Sequence, residues 1–154
     1  MINNFKKILV LFCLIFLTNC GYTPLLNTEK TNFYVNNLSF EGDRKINNYI
    51  LTNLKKYKNP NKNAKSFDIS VTSEYSKTVT NRDNNNNPKN YSIKTKISVK
   101  IISNNGIEKN KTFERNIVMS AQNNKVTEKE MEKKYRKDLS HSLSRDIIFL
   151  LQNL

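Results

Sequence analysis

The sequence predicts an α+β fold, a two-layer sandwich of a four-stranded mixed, largely antiparallel sheet with two helices on one face, in the order β-α-β-β-β-α. Three observations predict it. Residues 91–101 alternate for about ten positions, with Tyr91, Ile93, Thr95, Ile97, Val99 and Ile101 on one side and Ser92, Lys94, Lys96, Ser98 and Lys100 on the other. Two stretches, one after Asp43 and one after Thr127, carry apolar residues at helical spacing instead. The chain has 154 residues of which 37% are hydrophobic, which suits one compact core and leaves little room for two.

The elements follow in order. Thr31 to Phe40 carries Phe33, Val35, Leu38 and Phe40 and ends at Glu41-Gly42-Asp43, a short strand and a turn. Asp43 then caps a helix whose apolar positions are Ile46, Tyr49, Ile50, Leu54 and Tyr57, and which stops before Pro60. Residues 66–80 read as a long half-buried strand, because Phe67, Ile69, Val71, Tyr75 and Val79 keep mostly to one parity. The alternating strand at 91–101 is the third. Asn105-Gly106 marks a type I′ hairpin turn, and a fourth strand from about Lys109 to Ser120 points Phe113, Ile117 and Met119 inward, with Arg115 the awkward member. Thr127 and Glu130 form a capping box for the last helix. Its Met131, Tyr135, Leu139, Leu143, Ile147 and Leu151 recur every four residues, so the stripe winds slowly round the axis. Near Ile147 to Leu151 the helix is apolar almost all round and is expected to bury more than one face, in the core or against a partner.

The strand-helix-strand start calls for a right-handed crossover and a parallel first pair; the hairpins make the rest antiparallel. The outer sheet face then carries Ser, Thr and Lys. The nine-residue connection from Asn81 to Lys89 is longer than a tight hairpin needs. It reads either as a drifting polar loop or as a tip that reaches a partner.

Residues 1–19 stand apart from this domain. Lys6 and Lys7 precede an unbroken ten-residue apolar run, Ile8 to Leu17, half the length of about 20 that a membrane span requires. That is the pattern of an export signal. Leu17-Thr18-Asn19-Cys20 sits at its end as a lipobox, although Asn19 stands where Gly, Ala or Ser is usual. Cys20 is therefore expected to be the acylated first residue of the mature chain, with residues 20–30 as a tether and 31–154 as the domain. Cys13 leaves with the signal, so a disulfide or a cysteine-based metal site is not expected.

The formal net charge is +13, and +11 once Lys6 and Lys7 are removed. Such an excess invites an anionic partner, phosphorylated lipid or a membrane surface, although drift towards Lys and Asn, as in Asn84 to Asn87, explains part of it. Export, and the lack of aromatics interleaved with the basic residues, argue against nucleic acid. His141 is the single histidine, and no spacing marks a catalytic triad, a metal site or a cofactor loop. It is expected on a solvent- or partner-facing helix surface. Glu128, Glu130 and Glu132 crowd the start of the last helix, where the helix dipole favours negative charge. No enzyme activity is expected, and a hydrolase of envelope polymers would need a pocket that the sequence does not announce.

The run Cys-Gly-Tyr-Thr-Pro-Leu at residues 20–25, directly after a signal and followed by this element order, resembles the LPS-assembly lipoprotein family of Gram-negative outer membranes, LptE. The resemblance covers essentially the whole mature chain. It implies a lipid-anchored protein on the periplasmic face of the outer membrane, seated as a plug in the large β-barrel translocon LptD and binding lipopolysaccharide during its insertion into the outer leaflet. It also implies that the basic residues matching the family's lipopolysaccharide contacts are Arg82, in the connection between the second and third strands, and Lys125, just before the last helix. Lys94 and Lys96, with Lys100, add a basic row on one strand face, whose plainer reading is the wet side of a sheet. The competing reading is an accessory lipoprotein of another envelope lipid transporter. The absence of Asp after Cys20 agrees with an outer-membrane destination.

Overall fold

The structure, a computed structural model, describes residues 31–58 and 64–154. Cys20, the expected signal and the expected tether lie outside the described residues. The elements are β1 (Phe33–Gly42), α1 (Arg44–Leu54) continued by a 3-10 turn (Lys55–Tyr57), β2 (Lys65–Arg82), β3 (Pro88–Ser103), β4 (Glu108–Ser120) and α2 (Lys125–Gln152). The order is β-α-β-β-β-α, as the periodicity predicts. The sheet runs β1-β2-β3-β4, with β1 parallel to β2 and the other pairs antiparallel.

One sheet face and the two helices enclose the main core. Ile46, Ile50 and Leu54 of α1 and Leu143, Ile147 and Leu151 of α2 close over Phe67, Ile69 and Val71 of β2 and Ile97, Val99 and Ile101 of β3. A smaller cluster of Ile93, Met119 and Leu139, with Met131 and Tyr135 partly buried against it, lies under the first half of α2. The four-residue interval of the α2 stripe leaves a second buried shoulder, Ser140, Ser144 and Ile148. Both hydroxyls are satisfied along the helix, donating to the Arg136 and Ser140 carbonyls.

A bulge in β1 explains how its apolar residues switch parity. Phe33 and Val35 face the core, the register shifts between Val35 and Asn37, and Leu38 and Phe40 take over the inward positions. Asp68 holds the bulge, accepting from Asn36 Nδ2 and the Asn37 amide. Beyond β1 the chain turns at Gly42, φ +88°, into α1, where Asp43 Oδ1 accepts from the Lys45 and Ile46 amides at 2.9 Å as the expected N-cap.

Several expectations need correction. The cap of α2 is Asn124, whose Oδ1 accepts from the Val126 and Thr127 amides, so the helix begins before the Thr127/Glu130 box and Thr127 lies inside it. Glu128 and Glu132, one turn apart on α2, face the sheet, where both meet Lys77. The β3–β4 turn is not type I′: only Gly106, φ +77°, is left-handed, and the Gly106 amide bonds the Ser103 carbonyl while the Ser103 amide bonds that of Ile107. This is a type I turn closed by a glycine bulge. Strands β2 and β3 outrun their apolar signature and shorten the nine-residue connection to a turn at residues 83–87. Asp83 builds it, accepting from the Asn85 and Asn87 amides and from Asn87 Nδ2. Those bonds, the Asn87 amide first, hold the Asp83 carboxyl below its usual range. At the far end of α2, Ile147, Ile148 and Leu151 are buried, but Phe149 is 69% exposed, so the apolar girdle is only partly covered.

Candidate functional site

The antiparallel ladder sets the ends of the molecule. The β2–β3 turn and the start of α2 share one end; the β3–β4 turn, the start of β1 and the last turn of α2 share the other, where Lys65 Nζ donates to the Leu154 carbonyl at 2.8 Å. Arg82 and Lys125 both belong to the first end. Arg82 closes the last ladder position of β2 opposite Pro88 and donates from NH1 to the Asn86 carbonyl at 2.8 Å. Lys125 is the first residue of α2, not a loop residue before it, and its 75% exposed side chain stands 3.4 Å from Glu128. Both guanidinium and ammonium groups keep most of their donors free for an anionic partner.

Behind these two cations is a compact ionic cluster that sequence periodicity does not disclose. Lys77 Nζ lies 3.0 Å from Glu128 Oε1 and 3.0 Å from Glu132 Oε2, and 4.2 Å from the centre of the Tyr91 ring. Glu132 also accepts from the Tyr75 hydroxyl at 2.8 Å and from Arg136 NH2 at 2.9 Å. Arg136 stacks on Tyr75 at 3.6 Å and reaches Asp43 Oδ2 at 3.7 Å, which ties the cap of α1 to α2. Burial opposes ionisation of Glu128 and Glu132, but the hydrogen bonds from Lys77, with those from Gln122 to Glu128 and from Tyr75 to Glu132, hold both carboxyls below the usual range. Glu128 and Glu132 are therefore anchors of α2 on the sheet and not only helix-dipole partners.

The basic row on the outer face of β3 is charge-compensated. Lys94 pairs with Glu114 at 2.8 Å, Lys96 with Glu74 at 3.9 Å and Lys100 with Glu108 at 2.9 Å. Each pair is about half-exposed and contributes little stability, but each lowers the local positive potential that an anion would meet. Otherwise the outer face carries hydroxyl and amide side chains, with Val118 and Ile102 as exposed apolar exceptions. Ser39, Ser70, Thr72, Ser98 and Thr112 line a shallow hollow of about 500 Å³ across the four strands. Arg115, awkward in the inward pattern of β4, is accounted for by its ion pair with Asp146 of α2 at 2.7 Å.

His141 is half-buried and lines an open cleft between the two helices. It packs between the helices, 2.7 Å from Asn53 Nδ2 and with its ring centre 6.2 Å from that of Tyr49. Among the described residues no group of three His, Cys, Asp or Glu side chains is placed to hold a metal ion, and no helix is long and apolar enough to cross a membrane.

No protein-family model matches the chain, and no curated protein matches it in sequence. Its fold, however, is shared with solved structures. Rare lipoprotein B from Shewanella oneidensis superposes with a TM-score of 0.53 at 11% identity, covering 77% of this chain and 98% of that one. An uncharacterized lipoprotein B from Nitrosomonas europaea gives 0.55 at 10% identity over 79% and 84% of the two chains. A minor lipoprotein from Acinetobacter baumannii gives 0.51 at 11% identity over 76% and 92%. At these identities the likeness is one of fold.

Proposed function

We propose that this chain is a non-catalytic envelope lipoprotein, anchored by acylated Cys20 to the periplasmic face of the outer membrane, that partners a large LptD-like β-barrel and binds lipopolysaccharide during its insertion. The carrying observation is a conjunction: a lipobox cysteine at residue 20 precedes a domain whose fold is shared with three proteins described as lipoproteins. The two-sided architecture supports the partnership. One sheet face is consumed by the core, and the other is a polar, hydroxyl-lined wall suited to the polar interior of a barrel. Arg82 and Lys125, at one end, supply charge-assisted hydrogen bonds for the phosphates of lipopolysaccharide, whereas Lys94 and Lys96 are already paired.

Replacing Arg82 and Lys125 together with Asp tests the ligand. Lipopolysaccharide binding by the purified protein should weaken by tenfold or more, since each reversal replaces an attraction by a repulsion. Unchanged binding at low and moderate salt contradicts the assignment and leaves the basic excess as drift. Replacing Cys20 with Ala should abolish acylation; an intact mass that still includes acyl chains contradicts the anchor.

A further inference from the structure

The helix layer holds a second cation-rich feature, whose lining includes neither Arg82 nor Lys125. A cleft of about 270 Å³ opens between α1 with its 3-10 turn and α2, lined by Asn53, Lys56, Tyr57, His141, Arg145 and Ile148, with the buried Ser144 behind them. Its floor is apolar: Ile148 is 4% and Tyr57 5% exposed, the Tyr57 ring stacked on Phe33 at 5.3 Å.

Its polar groups are nearly all donors. The Asn53 amide nitrogen donates to Ser144 Oγ at 3.1 Å and lies 2.7 Å from His141 Nδ1. With that nitrogen donating to Nδ1, the neutral imidazole carries its proton on Nε2. Lys56 and Arg145 are exposed and have no acidic partner among the described residues, and the Tyr57 hydroxyl likewise has no partner there. Two exposed cations and an imidazole thus line one cleft with an apolar floor. That is the complement of a small oxyanion carried on carbon, and a dianionic phosphate ester matches two cations in charge.

We propose that this cleft binds a phosphate monoester group, with Lys56 and Arg145 as its ion partners and His141 Nε2–H as the orienting donor. The site needs neither Cys20 nor the barrel, so it stands apart from the function proposed above. The charges around His141 agree with it. Burial and, after it, Lys137 hold the imidazole below its ordinary pKa, Asp138 opposes them, and Arg145 and Lys56 add to the depression. A bound dianion would offset those cations and favour the imidazolium, whose added proton on Nδ1 is accepted once the Asn53 amide turns its oxygen to the ring, so binding and protonation of His141 are coupled.

His141 is the single histidine, so its Hε1 resonance is a one-site reporter. The full chain in detergent micelles is titrated in chloride and in inorganic phosphate at equal ionic strength. Phosphate should raise the His141 midpoint, by about one unit if the imidazolium form binds tenfold more tightly. The double variant K56Q/R145Q, changed only at exposed positions, should lose the response while keeping its far-UV circular dichroism. A midpoint equal in the two salts, or the same rise in the double variant, overturns the proposal. Glycerol phosphate and phosphatidic acid in mixed micelles separate the sources. A response to the first alone marks a soluble ester and to the second a lipid headgroup, either supporting the site; a response to neither overturns it.

Discussion

Replacing Lys77 with Met removes a charge from the cluster that fastens α2 to the sheet and keeps the apolar stem. The ammonium makes two charge-assisted hydrogen bonds, each 3.0 Å long, to carboxylates whose side chains are 8% and 21% exposed. Such bonds contribute about 1.5 kcal/mol each at the partly solvated end of their range. Arg136 and Lys125 remain to neutralise Glu132 and Glu128, which returns part of the loss. The contact over Tyr91 adds about 0.5 kcal/mol. The expected cost is therefore about 2–3 kcal/mol, read from urea unfolding at neutral pH by circular dichroism. The pH dependence fixes the cause. Both carboxyls have folded-state values below the usual 4.5, so their stabilisation is complete above that pH and is lost as pH falls through the depressed values. The difference between K77M and the parent should shrink in acid. A cost below about 0.5 kcal/mol, the level of a surface ion pair, or a cost unchanged in acid, refutes the reasoning.

Other substitutions probe the frame that positions this end. Gly42→Ala should destabilise by at least about 2 kcal/mol in the same assay, because φ is +88° and a Cβ there would run into the Ser73 carbonyl oxygen, which accepts the Asp43 amide. Asn124→Ala should cost about 1 kcal/mol by removing the true cap of α2, while Thr127→Ala should stay within about 0.5 kcal/mol; the reverse ranking would restore the Thr127 box. Leu143→Ala, at a fully buried position of the main core, should cost about 2–5 kcal/mol. A midpoint close to the parent's would mean that α2 contributes little to the core.

Local periodicity made the sheet and helices legible. Alternation from Tyr91 to Ile101 and the spacing of Ile46, Ile50 and Leu54 are properties of neighbouring residues, and burial selects them directly. What stayed hidden depends on partners far apart in the chain. Lys77 meets Glu128 and Glu132 across 51 and 55 residues, so those glutamates look like dipole partners until the fold brings Lys77 beneath them. His141 is hidden for the same reason, its partner Asn53 being 88 residues away. The ends of β2 and β3 were illegible because their ladder continues through Asn81, Arg82 and Pro88, where no apolar residue marks a buried face. The cap of α2 is ambiguous in sequence because two valid cap residues, Asn124 and Thr127, lie three positions apart, and only the amides that donate to the cap distinguish them. Of the candidate site, Arg82 and Lys125 were visible as basic residues at loop-like positions, while the glutamates that offset Lys94 and Lys96 required strand register.

Co-purification from detergent-solubilised envelopes tests the central claim most directly. A C-terminally tagged full-length chain should bring down a large outer-membrane β-barrel protein in stoichiometric amount, identified by mass spectrometry. Recovery of the chain with no β-barrel protein, or with the components of a different envelope lipid transporter, would contradict it.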